Sequence, residues 1–257
     1  MNPMQSLTTG LNRRVLLYAF AALPTLIAPL GGRSGAQLLS AAAQDSVTAV
    51  DILLEPDETM IKNGVAANDR LLKVFPKGFA LGKTHAPHIS TLQRYVKTAD
   101  LNKVYEAVGK VLAGEKPAGW KLKAYKYYFI PWKGLGLAGI VIEPTDDLVR
   151  YQQKLIDAVT PFAVKTANAA AFVTTKEDPD INQPTIDYVA NFVPNESGKK
   201  FSPHVTIGLA AEDYLKKMLD EKFEAFTFSP VGVSVYHLGN FGTARTKLKS
   251  WVLAPQR

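Results

Sequence analysis

Pro87-His88-Ile89-Ser90 and Pro203-His204-Val205-Thr206 are two versions of one tetrapeptide, set 116 residues apart in a chain with only four His. Each places an imidazole two residues before a hydroxyl, with an apolar residue between and a Pro in front. In a β-strand, positions i and i+2 point to the same face, so each segment aims an imidazole and a hydroxyl into one space. A fold that uses both must supply two equivalent strands. Where those strands face each other, two imidazoles and two hydroxyls surround one pocket. One imidazole can take a proton while the other gives one, and the hydroxyls can hold phosphate oxygens. That set of groups suits phosphoester chemistry without a metal. A single His-x-Ser is commonplace. The repeated Pro-His-apolar-hydroxyl context, in corresponding places of two halves, is what carries the functional reading.

The flanking pattern supports two halves. Ala49 to Glu55 reads as a strand, and Glu58 to about Phe75 as a helix with Asp57 as N-cap. Ala86 to Arg94 is the first motif strand. Leu101 to Ala113 reads as a helix capped by Asp100 and closed by Gly114 and Pro117. Trp120 to Trp132 and Leu135 to Glu143 form a hairpin turning at Lys133-Gly134. A second round follows: a helix over Leu148 to about Val164, a surface loop over Thr174 to Gln183, and the second motif strand over Ser202 to Ala210. A helix over Glu212 to Phe223 comes next. The round closes with a hairpin of Ala225 to Leu238 and Thr246 to Ala254, turning through Gly239-Asn240-Phe241-Gly242. Both halves run helix, Pro-His strand, helix, hairpin. The expected fold is α+β, with two pseudo-symmetric lobes, each an antiparallel sheet with helices, and the motif strands facing across a central cleft. Lobe 1 covers about 49–144 and lobe 2 about 145–254, within a single bilobal domain over 37–257.

Residues 1–36 stand apart. They contain no Asp or Glu, and Arg13-Arg14 leads into an apolar run from Val15 to about Leu30, followed by small residues at 34 and 36. That order is the order of an export signal, with cleavage expected near Ala36-Gln37. The run is shorter than the ~20 residues of a membrane span, and Pro24 and Pro29 interrupt it. The Arg pair resembles a twin-arginine signal, although Asn12 and Leu16 depart from that motif, which leaves the Sec route open. The mature protein is therefore expected in the periplasm or secreted, without stable membrane association. Cleavage removes three Arg and no acid, lowering the formal charge from +7 to +4. A mildly basic domain suits a nucleotide or short RNA better than a long duplex. The absence of Cys excludes thiol catalysis, disulfides and Cys-ligated zinc.

The paired His-x-Ser/Thr motifs, one per half, together with the shared element order, resemble the 2H phosphoesterase superfamily. Within it the chain is most similar to bacterial 2′-5′ RNA ligase and 2′,3′-cyclic phosphodiesterase proteins. The resemblance covers roughly Ala49 to Ala254, with Ser90 in place of the more usual Thr. It implies a metal-independent, cofactor-free, monomeric phosphodiesterase acting on a 2′,3′-cyclic phosphate or a 2′-5′ bond. His88 and His204 would be its catalytic acid and base in either assignment. Ser90 and Thr206 would bind the phosphoryl oxygens, and a 2′-phosphate would be the product from a cyclic ester. The alternative is a non-catalytic nucleotide- or RNA-end-binding protein on the same scaffold.

Other features are weaker. Lys121, Lys123, Arg245, Lys247 and Lys249 alternate along hairpin strands and could form a basic rim, but a solvated sheet face explains them better. Among Tyr125, Tyr127, Tyr128, Phe129 and Trp132, one could stack on a base, while most should pack. Tyr236 and Phe241 are read the same way. His85 and His237 lack a hydroxyl at i+2 and are left out of the site. Asp178-Pro179-Asp180 reads as a solvated loop pair rather than a metal site. Gly134-x-Gly136-x-x-Gly139 sits in a hairpin with no helix after it, so it is not a dinucleotide fingerprint.

Overall fold

A computed structural model describes residues 46–253 except residue 177. The export segment lies outside the described residues. In chain order the elements are β1 (Val47–Pro56), α1 (Glu58–Val74), β2 (Ile89–Lys97), α2 (Leu101–Glu115), β3 (Leu122–Trp132) and β4 (Leu135–Ile142). There follow α3 (Asp146–Val159), β5 (Ala163–Val164), α4 (Gln183–Asn195), β6 (His204–Ala211), α5 (Glu212–Leu219), β7 (Phe226–Phe228), β8 (Pro230–Leu238) and β9 (Ala244–Val252).

The strands form two antiparallel sheets. The first has the order β5-β2-β1-β8-β9 and the second β6-β4-β3-β7. The α+β class and the placement of the two motif strands in separate sheets agree with the sequence. Each sheet, however, draws strands from both halves of the chain. Residue 145 is a boundary between elements and not between sheets. The segment Ala225 to Leu238, expected as one strand, divides: β7 pairs with β3 in the second sheet, and β8 pairs with β1 and β9 in the first.

Local signals account for most of the elements. Asp57 caps α1, its carboxylate accepting from the Thr59 and Met60 amides at 3.0 and 3.3 Å. Thr145 caps α3 through the Leu148 amide. The β3–β4 turn uses Lys133 and Gly134 at φ 52° and 80°, the left-handed conformations that a two-residue hairpin demands. Asp100 behaves otherwise. Its side chain makes no capping bond to α2 and instead takes the Lys103 ammonium at 2.8 Å, because a 3₁₀ turn over 98–100 already leads the chain into the helix. Helix α3 stops at Val159, earlier than the apolar pattern suggests, since Pro161 turns the chain through a 3₁₀ turn into β5.

Helix α4 went unread in the sequence. Asn182 caps it through the Thr185 amide at 2.8 Å, and Pro184 sits in its first turn.

Alternate residues of β1 serve different layers. Val50, Ile52 and Leu54 enter the main core, which runs through both sheets and α1, α2, α3 and α5. Ala49 faces the other way, into a smaller cluster with Tyr95, Phe172, Val189 and Leu238 beneath α4. Asp51 lies two residues along from Ala49 on that second face.

Candidate active site

The first motif does not begin in a strand. His88 precedes β2, which starts at Ile89, and only Ser90 is in the ladder, opposite Leu53. The second motif starts β6: His204 opens the strand and Thr206 follows on the same face, while Val205 and Ile207 are fully buried on the other. β2 and β6 come from different sheets and approach each other directly.

The two imidazoles are held by the same device. His88 Nδ1 lies 2.7 Å from the Ala86 carbonyl, and His204 Nδ1 lies 2.8 Å from the Ser202 carbonyl. A carbonyl can only accept, so each Nδ1 carries its proton and each neutral ring keeps its lone pair on Nε2. Both rings thus present Nε2 as the atom that exchanges a proton. They are also close enough that charge on one acts on the other. Burial pushes the His204 imidazole below its ordinary value; the bond to Ser202 opposes this and the charge on His88 adds to it.

The hydroxyls are not equivalent. The Thr206 hydroxyl makes no hydrogen bond among the described residues, so its O–H is free to donate. Ser90 donates its proton to Asp51 Oδ2 at 2.5 Å, which leaves it only lone pairs to offer.

Asp51 is the site residue that sequence reasoning missed. It is fully buried, its Oδ2 lies 3.8 Å from His88 Nε2, and it also takes a 3.2 Å bond from Gln93 Nε2. Its Oδ1 is buried with no partner. Burial pushes this carboxyl up, opposed by the charge on His88 and the bonds from Ser90 and Gln93. One signal was available: a lone acid inside the apolar run Ala49-Val50-Asp51-Ile52-Leu53-Leu54.

Tyr128 was one of several candidate aromatics and is the one that reaches the site. Its ring lies 4.8 Å from that of His204. Tyr128 stands opposite Gly139, and Gly139 opposite Thr206, so the ring folds over a position with no side chain. Tyr188 of α4 joins from above, near enough for the charge of Asp51 to bear on it.

A cavity of about 270 Å³ opens beside His88, bounded by Leu53, Glu55, Val231, Tyr236 and Lys247 among others. The lysines weighed as a possible rim are mostly paired. Lys247 meets Glu55 at 2.6 Å, Lys123 meets Glu143 at 3.4 Å, and Lys121 donates to Ser229. Arg245 and Asp178 form a 3.0 Å pair that also ties Asn240, so Asp178 is structural rather than solvated. His85 stacks on Phe79 and His237 bonds the Ala171 carbonyl, and both keep structural positions. No group of three His, Asp or Glu among the described residues could hold a metal, and no described helix is long and apolar enough to cross a membrane.

No protein-family model and no curated protein matches the chain. Solved structures do. TT0787 of Thermus thermophilus is 16% identical, with 82% of this chain and 100% of that chain covered and a TM-score of 0.48. E. coli LigT complexed with 3′-AMP is 12% identical, with 81% and 98% covered and a TM-score of 0.41. The MHV ns2 PDE domain is 9% identical, with 79% and 99% covered and a TM-score of 0.40. Identities this low carry no residue roles across, so the site is defined by this chain's own geometry.

Proposed function

We propose that this protein is a phosphodiesterase that opens a 2′,3′-cyclic phosphate or a 2′-5′ linkage on a nucleotide or short RNA end, by proton transfer between two histidines. One observation carries the reading: two imidazoles at the starts of strands that belong to different sheets, each tied through Nδ1 to the carbonyl two residues before it, each offering Nε2. A chance pair of histidines has no reason to share that tether. The resemblance of the motifs to those of 2H phosphoesterases points the same way.

For a cyclic ester, water attacks phosphorus and gives its proton to one Nε2. The P–O bond to the ribose oxygen breaks, and the other imidazole supplies the proton that oxygen needs. Thr206 donates to a phosphoryl oxygen as charge builds there. Ser90 joins it only by releasing Asp51. The cavity beside His88, with the Tyr236 face and the Glu55–Lys247 pair, receives the nucleoside. Delivery to the periplasm by residues 1–36 would make the substrate an extracytoplasmic one. Replacing Arg13-Arg14 by Lys-Lys would then block export on the twin-arginine route and leave it intact on the Sec route.

The test is a panel of 2′,3′-cyclic nucleotides and 2′-5′ dinucleotides, assayed with excess chelator and read by chromatography of the products. Turnover should persist with chelator, because proton transfer and hydroxyl contacts do the work a divalent ion does elsewhere. His88→Ala and His204→Ala should each lose roughly 10²–10⁴-fold, the usual worth of a positioned proton-transfer group. The double variant should be little worse than the worse single, since the two act as a unit. His85→Ala and His237→Ala should stay within a few-fold. Tight binding of these ligands without turnover would instead identify a binding protein on the same scaffold.

A further inference from the structure

We propose that Asp51 divides the labour between the two histidines, making His88 the proton donor to the leaving oxygen and leaving His204 as the acceptor of the water proton. This rests on the two-histidine reading above and assigns the roles within it. The motifs are alike in sequence and in their carbonyl tethers, so nothing local separates acid from base. The difference comes from the neighbours. His88 Nε2 has a fully buried carboxylate oxygen 3.8 Å away, too far for a direct hydrogen bond but within ion-pair distance. His204 has no carboxylate within ion-pair distance among the described residues. Its ring instead packs on Tyr128.

The other groups around each imidazole do not undo this asymmetry. Asp51 faces Ser90 and Gln93 from β2, Tyr236 from β8 by register, and Tyr188 from α4. None of these brings a cation that would compete for the carboxylate. Lys247, opposite Tyr236 on β9, is held by Glu55. The His204 ring packs on Tyr128, and burial disfavours charge there. The carboxylate of Asp51 therefore favours the proton on the His88 side, while burial disfavours a proton on His204. Burial raises the Asp51 carboxyl and lowers the His204 imidazole, which fits that division.

In the step itself the water proton passes to His204 Nε2, and the proton of the Asp51–His88 pair passes to the ribose oxygen as its bond to phosphorus breaks. Afterwards His204 gives its proton to solvent and the pair takes one back, so the cycle closes without any other reactant. Asp51 touches no substrate atom. It is a positioning residue.

Two measurements test this. The first is the pH–rate profile of Asp51→Asn, which keeps the shape and the acceptor for Ser90 but removes the charge. Its falling limb at high pH should move down by about one unit, the lower end of the effect of a neighbouring charge. Turnover should then be about tenfold lower at pH 8 and within two- to threefold of the parent near pH 5.5. A profile that keeps its shape, whether or not its height changes, overturns the proposal. The second is ¹⁵N NMR of the imidazoles in the substrate-free parent protein. On raising the pH, His204 should become neutral before the Asp51–His88 pair gives up its proton, and the reverse order overturns the assignment. The NMR measurement needs neither activity nor a folded variant. If the order holds and no substrate turns over, the phosphodiesterase reading fails while the role of Asp51 stands.

Discussion

Gly139 is the residue that lets Tyr128 reach His204. A Cβ there would come within 2.3 Å of Tyr128 Cε1 and 3.0 Å of the Val205 carbonyl. One neighbour is a ring end and the other is strand backbone, so the ring must leave. Gly139→Ala is expected to lower turnover at least tenfold and to shift the Tyr128 and His204 signals together in NMR. An unchanged His204 environment would show that the ring contact is incidental. Asp51 can be tested for its effect on stability as well as on catalysis. A carboxyl raised by burial binds its proton more tightly folded than unfolded. Stability therefore falls as pH rises above the ordinary value of 3.8. Asp51→Asn should raise Tm by about 2–4 °C at pH 7 and leave it unchanged near pH 3, as relief of about 1 kcal/mol would do in a domain of this size. A lower Tm at pH 7 would mean that the bonds from Ser90 and Gln93 outweigh the burial.

At the scale of elements, the second motif strand is set by α1. Asn68, buried in α1, donates to the Ile207 carbonyl at 2.8 Å and the Phe79 carbonyl at 3.0 Å, and accepts from the Leu81 amide at 2.9 Å. It meets β6 where the ladder to β4 slips between Ala138 and Gly139, and where Gly208 takes φ 138°. No side chain fits at 208, since a Cβ would stand 2.8 Å from Asn68 Nδ2. Asn68→Ala strands one buried and two partly buried backbone groups and should lower stability by about 2–3 kcal/mol in urea unfolding. Because β6 carries His204 and Thr206, the KM should rise as well. A second tie joins α2 to α3. Glu115, with its side chain 2% exposed, takes Arg150 at 2.8 Å and also Lys154. Its carboxyl is held below the ordinary value, first by the Arg150 bond. Its contribution to stability is thus present above about pH 4.5 and lost as pH falls below it. Glu115→Gln should flatten that part of the stability curve. The cations are half exposed, so the loss at pH 7 should be about 1 kcal/mol.

Over the whole molecule, the two sheets are interwoven. The first half of the chain supplies β1 and β2 to one sheet and β3 and β4 to the other. The second half supplies β5, β8 and β9 to the first sheet and β6 and β7 to the second. The hairpin tips also meet, with Trp132 and Phe241 edge to face at 5.3 Å. Neither half closes a sheet of its own, so residues 46–144 and 145–253 expressed separately should lack cooperative unfolding. Mixed, they should regain it, because the missing strands are those of the other half. A cooperative transition in either fragment alone would refute this.

How much of this was written in the chain divides by range. Signals that act within a few residues were legible. The Asp57 site precedes a helix because its oxygen reaches amides two and three residues on. The Lys133-Gly134 turn follows from backbone geometry, and the alternation of His204, Val205, Thr206 and Ile207 tells the two faces of a strand apart. The paired motifs themselves also belong to the sequence, as does the chemistry of imidazole beside hydroxyl. Where a residue's meaning depended on a partner far along the chain, only the tertiary structure decided it. The strand run around Asp51 does not say that Ser90, 39 residues away, will give it a proton, or that His88 will stand beside it. Nor do β7 and β8, two adjacent segments, say that they will join different sheets. Strand pairing and buried charge are set by which surfaces meet after the chain has closed on itself. Two motifs almost identical in sequence thus come to differ through their neighbours, a buried carboxylate beside His88 and a tyrosine ring beside His204.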